Sequence, residues 1–339
     1  MPKLKNRGKS TGFWHEVSLR FPSFPLFAIA FLLIGGFSIK SDRFLTSSSI
    51  SQLLISASII AIVGVGEAFV LISKNIDVSV GSIVGFSAYF TASIAAKNQS
   101  LPLPIVVLIG VCIGMILGTV NGIIVANLEI PSIMVTLGTL YVFRGIDSMI
   151  VGSNEVTAQF LSKSFSRISS WTFLGLPGMF FYAAFVCICG WAFLQHTYSG
   201  RSIAALGSNI TAAKKIGINS KKLVFLVYLI SGGLSGFAGV LWASRYGTVN
   251  STTGFGFELV VLAAVVVGGV SVNGGTGSIA GVFFGSLILG TISVGLALVN
   301  VSQFWVQAIQ GAAIITAISL EVVFRKRKNS GRRSDATSN

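Results

Sequence analysis

Residues 50–72 read ISQLLISASIIAIVGVGEAFVLI, with Glu67 the one ionisable side chain among them. An α-helix rises 1.5 Å per residue, so about 20 apolar residues cross the hydrocarbon core of a bilayer. Hydrocarbon leaves exposed backbone N–H and C=O groups unsatisfied, so a spanning segment is either a helix or a strand of a closed barrel. This stretch lacks the polar and apolar alternation of a barrel strand and reads as a spanning helix. Outward from it, nine further apolar runs follow the same pattern, at approximately Phe24 to Ile39, Ser79 to Ala96, Leu101 to Ala126, Ile133 to Val151, Thr172 to Leu194, Leu223 to Ala243, Leu259 to Val272, Ser278 to Asn300 and Phe304 to Phe324. The sequence predicts an all-α polytopic membrane protein of about ten transmembrane helices.

Composition agrees with that class. The chain is 53% hydrophobic and only 10% charged, where a soluble domain carries roughly a quarter charged residues. Its net charge of +14 would suit a nucleic-acid partner, but the cations sit at the ends and in one internal loop. With the N-terminus inside, 17 of the 24 Lys and Arg fall on the internal side, which places both termini in the cytoplasm by the excess of positive charge in cytoplasmic loops. The organisation is then a basic cytoplasmic segment at 1–23, a membrane domain at 24–324 with a cytoplasmic loop at 196–222, and a basic, disordered cytoplasmic tail at 325–339. The tail reads as a topology determinant that meets lipid headgroups, and no nucleic-acid partner is expected. Lys3, Lys5, Arg7 and Lys9 precede an apolar run as in a secretory leader, yet no A-x-A site follows, so the run is read as an uncleaved first span. Cys112, Cys187 and Cys189 all lie in apolar runs and are expected to pack as small buried residues, with neither a disulfide framework nor a metal site indicated.

Glycine spacing predicts how the spans touch. Gly110, Gly114, Gly118 and Gly122 recur every fourth residue, as do Gly277, Gly281 and Gly285, and each row lets a neighbouring backbone approach closely. Packing within the chain is the expected use of these rows, ahead of a dimer face.

The polar residues are few and placed. Ser73-Lys74-Asn75-Ile76-Asp77-Val78-Ser79-Val80-Gly81-Ser82 joins two apolar spans with no room for a loop. Asp77 and Ser79 suit capping of the next helix. Either this is a tight capped turn, or a discontinuous helix whose freed backbone groups line a solute path, with Asn75, Asp77 and Ser79 at the break. Gly277-Ser278-Ile279-Ala280-Gly281 echoes Gly81-Ser82-Ile83-Val84-Gly85, a hint of internal duplication. Glu67 would cost about 2.5 to 3.5 kcal/mol to insert as an ion, so it either faces the bundle interior or path, or reaches an interface. It is the single deep ionisable residue on this reading. Asn121 and Thr136 belong to a second polar series between Asn121 and Arg144, some of which cap helices around Pro131 and some of which face solute. In the 196–222 loop, Arg201, Gly207, Asn209, Ala213 and Gly217 interleave small residues with cations. The loop is either a positive anchor alone or a short helix available to a cytosolic partner.

Taken in order, Asn75-Ile76-Asp77-Val78-Ser79-Val80-Gly81-Ser82, Asn121-Gly122, Ile130-Pro131-Ser132, Val135-Thr136-Leu137-Gly138-Thr139-Leu140, Arg144-Gly145, Gly200-Arg201, Gly207-Ser208-Asn209, Ala212-Ala213 and Gly217-Ile218 resemble the ribose-type monosaccharide permeases of ATP-binding-cassette importers, within the broader branched-chain amino-acid permease group. Many of those have Gly-Gly-Ile-Asp-Leu-Ser where this chain has Lys74-Asn75-Ile76-Asp77-Val78-Ser79, and the Asn75 version is closer in flavour to the autoinducer-2 and rhamnose branches. The resemblance implies a multi-pass protein of the bacterial inner membrane, working with a second permease copy or paralogue, a cytosolic ATPase subunit and a periplasmic or extracellular solute-binding protein. It implies that ATP and Mg are held by the partner ATPase, with no cofactor in this chain. It makes the 196–222 loop a coupling helix in which Gly207, Asn209, Ala213 and Gly217 transmit ATPase closure to the spans, and it places the Asp77 break near the path.

Two other classes compete. An ion- or proton-coupled secondary transporter should carry several deep ionisable residues, and Glu67 alone is expected deep. An intramembrane enzyme needs convergent catalytic groups, and no HExxH, paired-carboxylate or GxxxxGK[ST] motif occurs.

Overall fold

The computed structural model describes residues 24–302 except Ser153, and 305–312, 315, 316 and 319 beyond them. The segments at 1–23 and 325–339 lie outside the described residues, and so does part of the tenth apolar run. The chain is almost wholly helical. Its helices are α1 (Phe24–Lys40), α2 (Ser47–Ile72), α3 (Val80–Lys97), α4 (Leu103–Leu128), α5 (Ser132–Val151), α6 (Lys163–Ser170), α7 (Gly178–His196), α8 (Tyr198–Ser208), α9 (Ile210–Lys215), α10 (Ser220–Tyr246), α11 (Phe257–Val267) and α12 (Ile279–Leu298). Six of these, α2, α4, α5, α7, α10 and α12, are long and apolar enough to cross a membrane, and α1 and α11 are shorter apolar helices.

The opening stretch forms the centre. Every residue of α2 from Ala57 to Ile72 is buried, surrounded by α7, α8, α10, α11 and α12. A helix that is apolar all round can be enclosed by protein or by lipid, and α2 is enclosed by its neighbouring helices.

Glycine decides the closest contact, between α4 and α10. A Cβ on Gly114 would lie 2.7 Å from Gly236 Cα and would overlap the Gly232 carbonyl oxygen. One on Gly118 would lie 2.9 Å from Gly232 Cα, and one on Gly122 3.2 Å from Phe225 Cα. Gly110 stands against Val240 and the Gly236 carbonyl. Backbone thus meets backbone without intervening side chains. The second row does the same for α12, where Gly281 and Gly285 sit on the Gly268 and Ala264 carbonyls at the end of α11, and Gly277 rests on Ile72. Gly118→Leu, with no room to relax against main chain, is expected to cost more than the 1–3 kcal/mol typical of overpacking. Its measured outcome is loss of the monodisperse peak in fluorescence-detected size exclusion, and an unchanged peak would sink the expectation.

Three differences from the sequence reading have local causes. The run expected from Thr172 begins its helix only at Gly178, because Leu174 and Gly175 take positive φ in a tight turn and Thr172–Phe173 pairs with Leu176–Pro177 as a small antiparallel hairpin. α11 stops at Val267, where Gly268 and the positive-φ Gly269 end the helix before Val272. The cysteines do not pack inside the bundle. Cys112 and Cys189 are exposed and Cys187 is half-buried, since α4 and α7 each keep an outward face that lipid rather than protein covers. The short α6 was invisible to a search for long apolar runs; it is amphipathic, with Phe165 and Ile168 turned inward and its Ser169 N–H donating to the Ser244 hydroxyl at 3.2 Å.

Candidate functional site

α2 ends in a Schellman turn. The Asn75 N–H donates to the Val70 carbonyl at 3.0 Å and the Lys74 N–H to Leu71 at 2.8 Å, with Lys74 in the left-handed region at φ 69°. Glycine is the usual residue there, which gives a physical reason for the Gly-Gly pattern that this chain lacks. α3 begins at Val80, so residues 73–79 form a true interruption in helical hydrogen bonding.

Side chains from three helices, α2, α5 and α10, satisfy the backbone freed by it. The Ile76 N–H donates to Ser132 Oγ at 3.0 Å, and the Ile76 carbonyl accepts from Thr136 Oγ1 at 3.2 Å and from the Tyr228 hydroxyl at 3.1 Å. The Asp77 N–H donates to Glu67 Oε1 at 3.2 Å. Asp77 Oδ1 in turn accepts from the Ser79 N–H at 2.9 Å and from Ser79 Oγ at 2.6 Å, and Asn121 Nδ2 donates to Ser79 Oγ at 2.7 Å. Contrary to the sequence expectation, neither Asp77 nor Ser79 caps the first N–H groups of α3, because Asp77 Oδ1 is engaged one residue before the helix and Ser79 makes no side-chain cap bond. Asn75 bonds locally to Ser73. The structure therefore brings Glu67, Asp77, Ser79, Asn121 and Thr136 into one connected network at the break, with Asn75 at its edge. Glu67 and Asp77 are 1% and 2% exposed, which answers the open question about Glu67: it faces the bundle interior.

Tyr228 on α10 belongs to this network, Ser231 one turn further on lies beside it, and neither was singled out from sequence. Their signal was available only as hydroxyls three residues apart in an apolar helix. The expectation that Glu67 alone lies deep does not hold either. Asp77 and Asp147 are equally buried, because the residues around them, rather than their distance from a predicted span end, set their depth.

A second polar cluster clamps the other end of α5. Arg144 donates to the carbonyls of Thr253 at 2.8 Å and Gly254 at 2.6 Å, stands 3.8 Å from Glu258 and lies over the Phe255 ring at 5.4 Å. It holds the 247–256 connection onto α5 and α3, where Gly85 leaves room for the Thr253 carbonyl.

On the lysine-rich side, α8 is capped by Thr197 and α9 by Asn209, whose Oδ1 accepts from the Ala212 N–H at 3.0 Å. The loop residues divide into two sets. Gly207 and Ala213 are buried; a Cβ on Gly207 would overlap the Ile72 carbonyl and lie 2.6 Å from the Gly275 nitrogen. The Gly275 N–H itself donates to the Ile72 carbonyl at 2.8 Å, so α8 seats directly on the last turn of α2 before the break. Arg201, Asn209 and Gly217 are exposed, and with them Ile210 and Ile216, at 50% and 74%. No cluster of three or more His, Cys, Asp or Glu converges among the described residues.

A polytopic helical bundle with an interrupted helix at its centre and a basic interhelical loop is an architecture that membrane transport proteins use. Residues 49–318 match the family described as the branched-chain amino acid transport system / permease component, and the chain belongs to that family. It is 32% identical over 314 residues to the D-allose transport system permease protein AlsC of Escherichia coli, covering 93% of this chain and 94% of that one. It is 33% identical over 289 residues to the autoinducer 2 import system permease protein LsrC of Enterobacter sp., covering 85% and 83%. It is 34% identical over 296 residues to the ribose import permease protein RbsC of Haemophilus influenzae, covering 86% and 90%. No solved structure matches.

Proposed function

We propose that this chain is the membrane-spanning subunit of an ATP-binding-cassette importer of the bacterial inner membrane, carrying a small sugar or sugar-like solute by alternating access. The relatives are importer permeases for allose, ribose and autoinducer 2, which supports a small polyol-like solute without choosing one. A second permease copy or paralogue completes the path, a binding protein delivers solute from outside, and a cytosolic ATPase subunit holds ATP and Mg.

The observation that carries the reading is the two-sided loop. Its outer side offers Asn209, Ile210, Lys214, Lys215 and Ile216 to a partner, while its inner side rests through Gly207 on the Ile72 carbonyl, five residues before Asp77. A push on α8 therefore reaches the helix break through main-chain contact. The test is affinity purification of the tagged chain from membranes, followed by uptake in vesicles loaded with or without ATP. Recovery of an ATPase subunit and ATP-dependent uptake are expected. Recovery of the chain alone, with uptake driven by an ion or proton gradient in ATP-free vesicles, would replace this reading with a secondary transporter.

A further inference from the structure

The hydrogen-bond network at the break leaves four fully buried oxygens without partners: Glu67 Oε2, Asp77 Oδ2, Asn121 Oδ1 and the Ser231 hydroxyl. They belong to one locality. Glu67 is bonded to the Asp77 backbone, and Asn121 reaches Asp77 through Ser79. The Ser231 hydroxyl lies beside the Asp77 carboxylate, and its Cα lies 2.7 Å from where a Gly66 Cβ would be. Glu67 and Asp77 have no Lys, Arg or His partner; among the described residues the one ion pair is Arg144 with Glu258.

Three of the four orphans, the two carboxylate oxygens and the amide oxygen, can only accept when the carboxylates are ionised. Buried carboxylates either take up protons or are retained as charges where they are paired or coordinate a metal, and here orphan acceptors gather around one helix break. The donor set contains oxygen alone, with carboxylate, amide and hydroxyl types, which suits a hard cation such as Na⁺, Ca²⁺ or Mg²⁺ and not a thiolate- or imidazole-seeking metal.

We propose that Glu67, Asp77, Asn121 and Ser231 form a binding site for one hard cation, which ties α2, α4 and α10 to the helix break. The inference does not rest on the importer reading, because it concerns the resting bundle and holds for any transport energetics. The bound ion supplies the charge that no side chain provides and fixes Asp77 in the geometry that holds Ser79.

The test uses the purified full-length chain in nanodiscs of zwitterionic lipid, with thermal unfolding followed at constant ionic strength in separate cation series at several fixed pH values. Choline chloride is replaced stepwise by NaCl, CaCl₂ or MgCl₂. The expected result is a saturable rise of several degrees in the unfolding midpoint with one of these cations, and comparison among the three identifies the ion. Glu67→Gln keeps an oxygen to accept from the Asp77 N–H while removing the charge, and is expected to raise the half-saturating concentration at least about tenfold, as loss of one charged ligand would. Ser231→Ala, which removes only a hydroxyl, should raise it a few-fold and serves if Glu67→Gln does not fold. A midpoint that responds to none of the cations overturns the proposal, as does one that follows pH alone, which would mean that protons compensate the carboxylates. A cation response unchanged in both variants overturns it too, since the ion would then act elsewhere.

Discussion

Ile210→Asp combined with Ile216→Asp is expected to release the ATPase subunit from the permease while the permease itself folds normally. Both side chains stand exposed on the loop formed by α8 and α9, on the side opposite Gly207, so neither contributes to the bundle. Burying an aliphatic side chain of that size contributes about 1.5–3 kcal/mol, and the pair on the order of 3–6 kcal/mol before the cost of placing two carboxylates in the interface. That corresponds to at least about a hundredfold weaker association. The checks are co-purification and ATP-dependent uptake, with size exclusion of the tagged permease as the folding control. If the ATPase still co-purifies in full, the docking side of the loop has been misplaced. Asn209→Trp at the neighbouring exposed cap should reduce coupling by the same route, so the two variants are expected to agree.

The second large effect concerns Asp77. Asp77→Ala removes the oxygen that accepts from both the Ser79 N–H and Ser79 Oγ in a site that water does not reach. An unsatisfied buried donor costs about 1–3 kcal/mol. That cost falls on the break geometry that each transport cycle uses, so uptake per folded permease is expected to drop about tenfold, the factor that about 1.4 kcal/mol corresponds to. Asp77→Asn keeps an acceptor at the same atom and should retain expression close to that of the parent. The contrast between the two is the measurement, made as uptake per unit of folded permease. Equal uptake in Asp77→Ala and the parent would show that the Asp77 bonds to Ser79 at the break are not needed for transport.

Much of this was legible in the chain because membranes constrain sequence so tightly. The run at 50–72 had one possible structure, and the Gly rows had one physical use wherever backbones approach closely. The break at 73–79 was visible as polar residues where no loop could fit. What sequence left open was which groups answer the freed backbone. Ser132, Thr136 and Tyr228 converge on Ile76 from positions 56, 60 and 152 residues away, and no local pattern encodes such long-range hydrogen bonds. The 163–177 stretch was misread for a related reason. Its apolar residues are spread over a short amphipathic helix and a hairpin, and a window tuned to continuous hydrophobicity merges the second with the span that follows.

The seam between α4 and α10 has a mechanical meaning. Where two helices meet through side chains, rotamer changes let them slide; where main chain lies on main chain, relative displacement of even a fraction of a turn drives carbonyls into Cα atoms. Gly110, Gly114, Gly118 and Gly122 therefore weld these two long helices into a single strut. A strut cannot flex internally during a transport cycle, so the hinge has to lie outside it, and the interrupted segment between α2 and α3 is the neighbouring place where the helical ladder is already open.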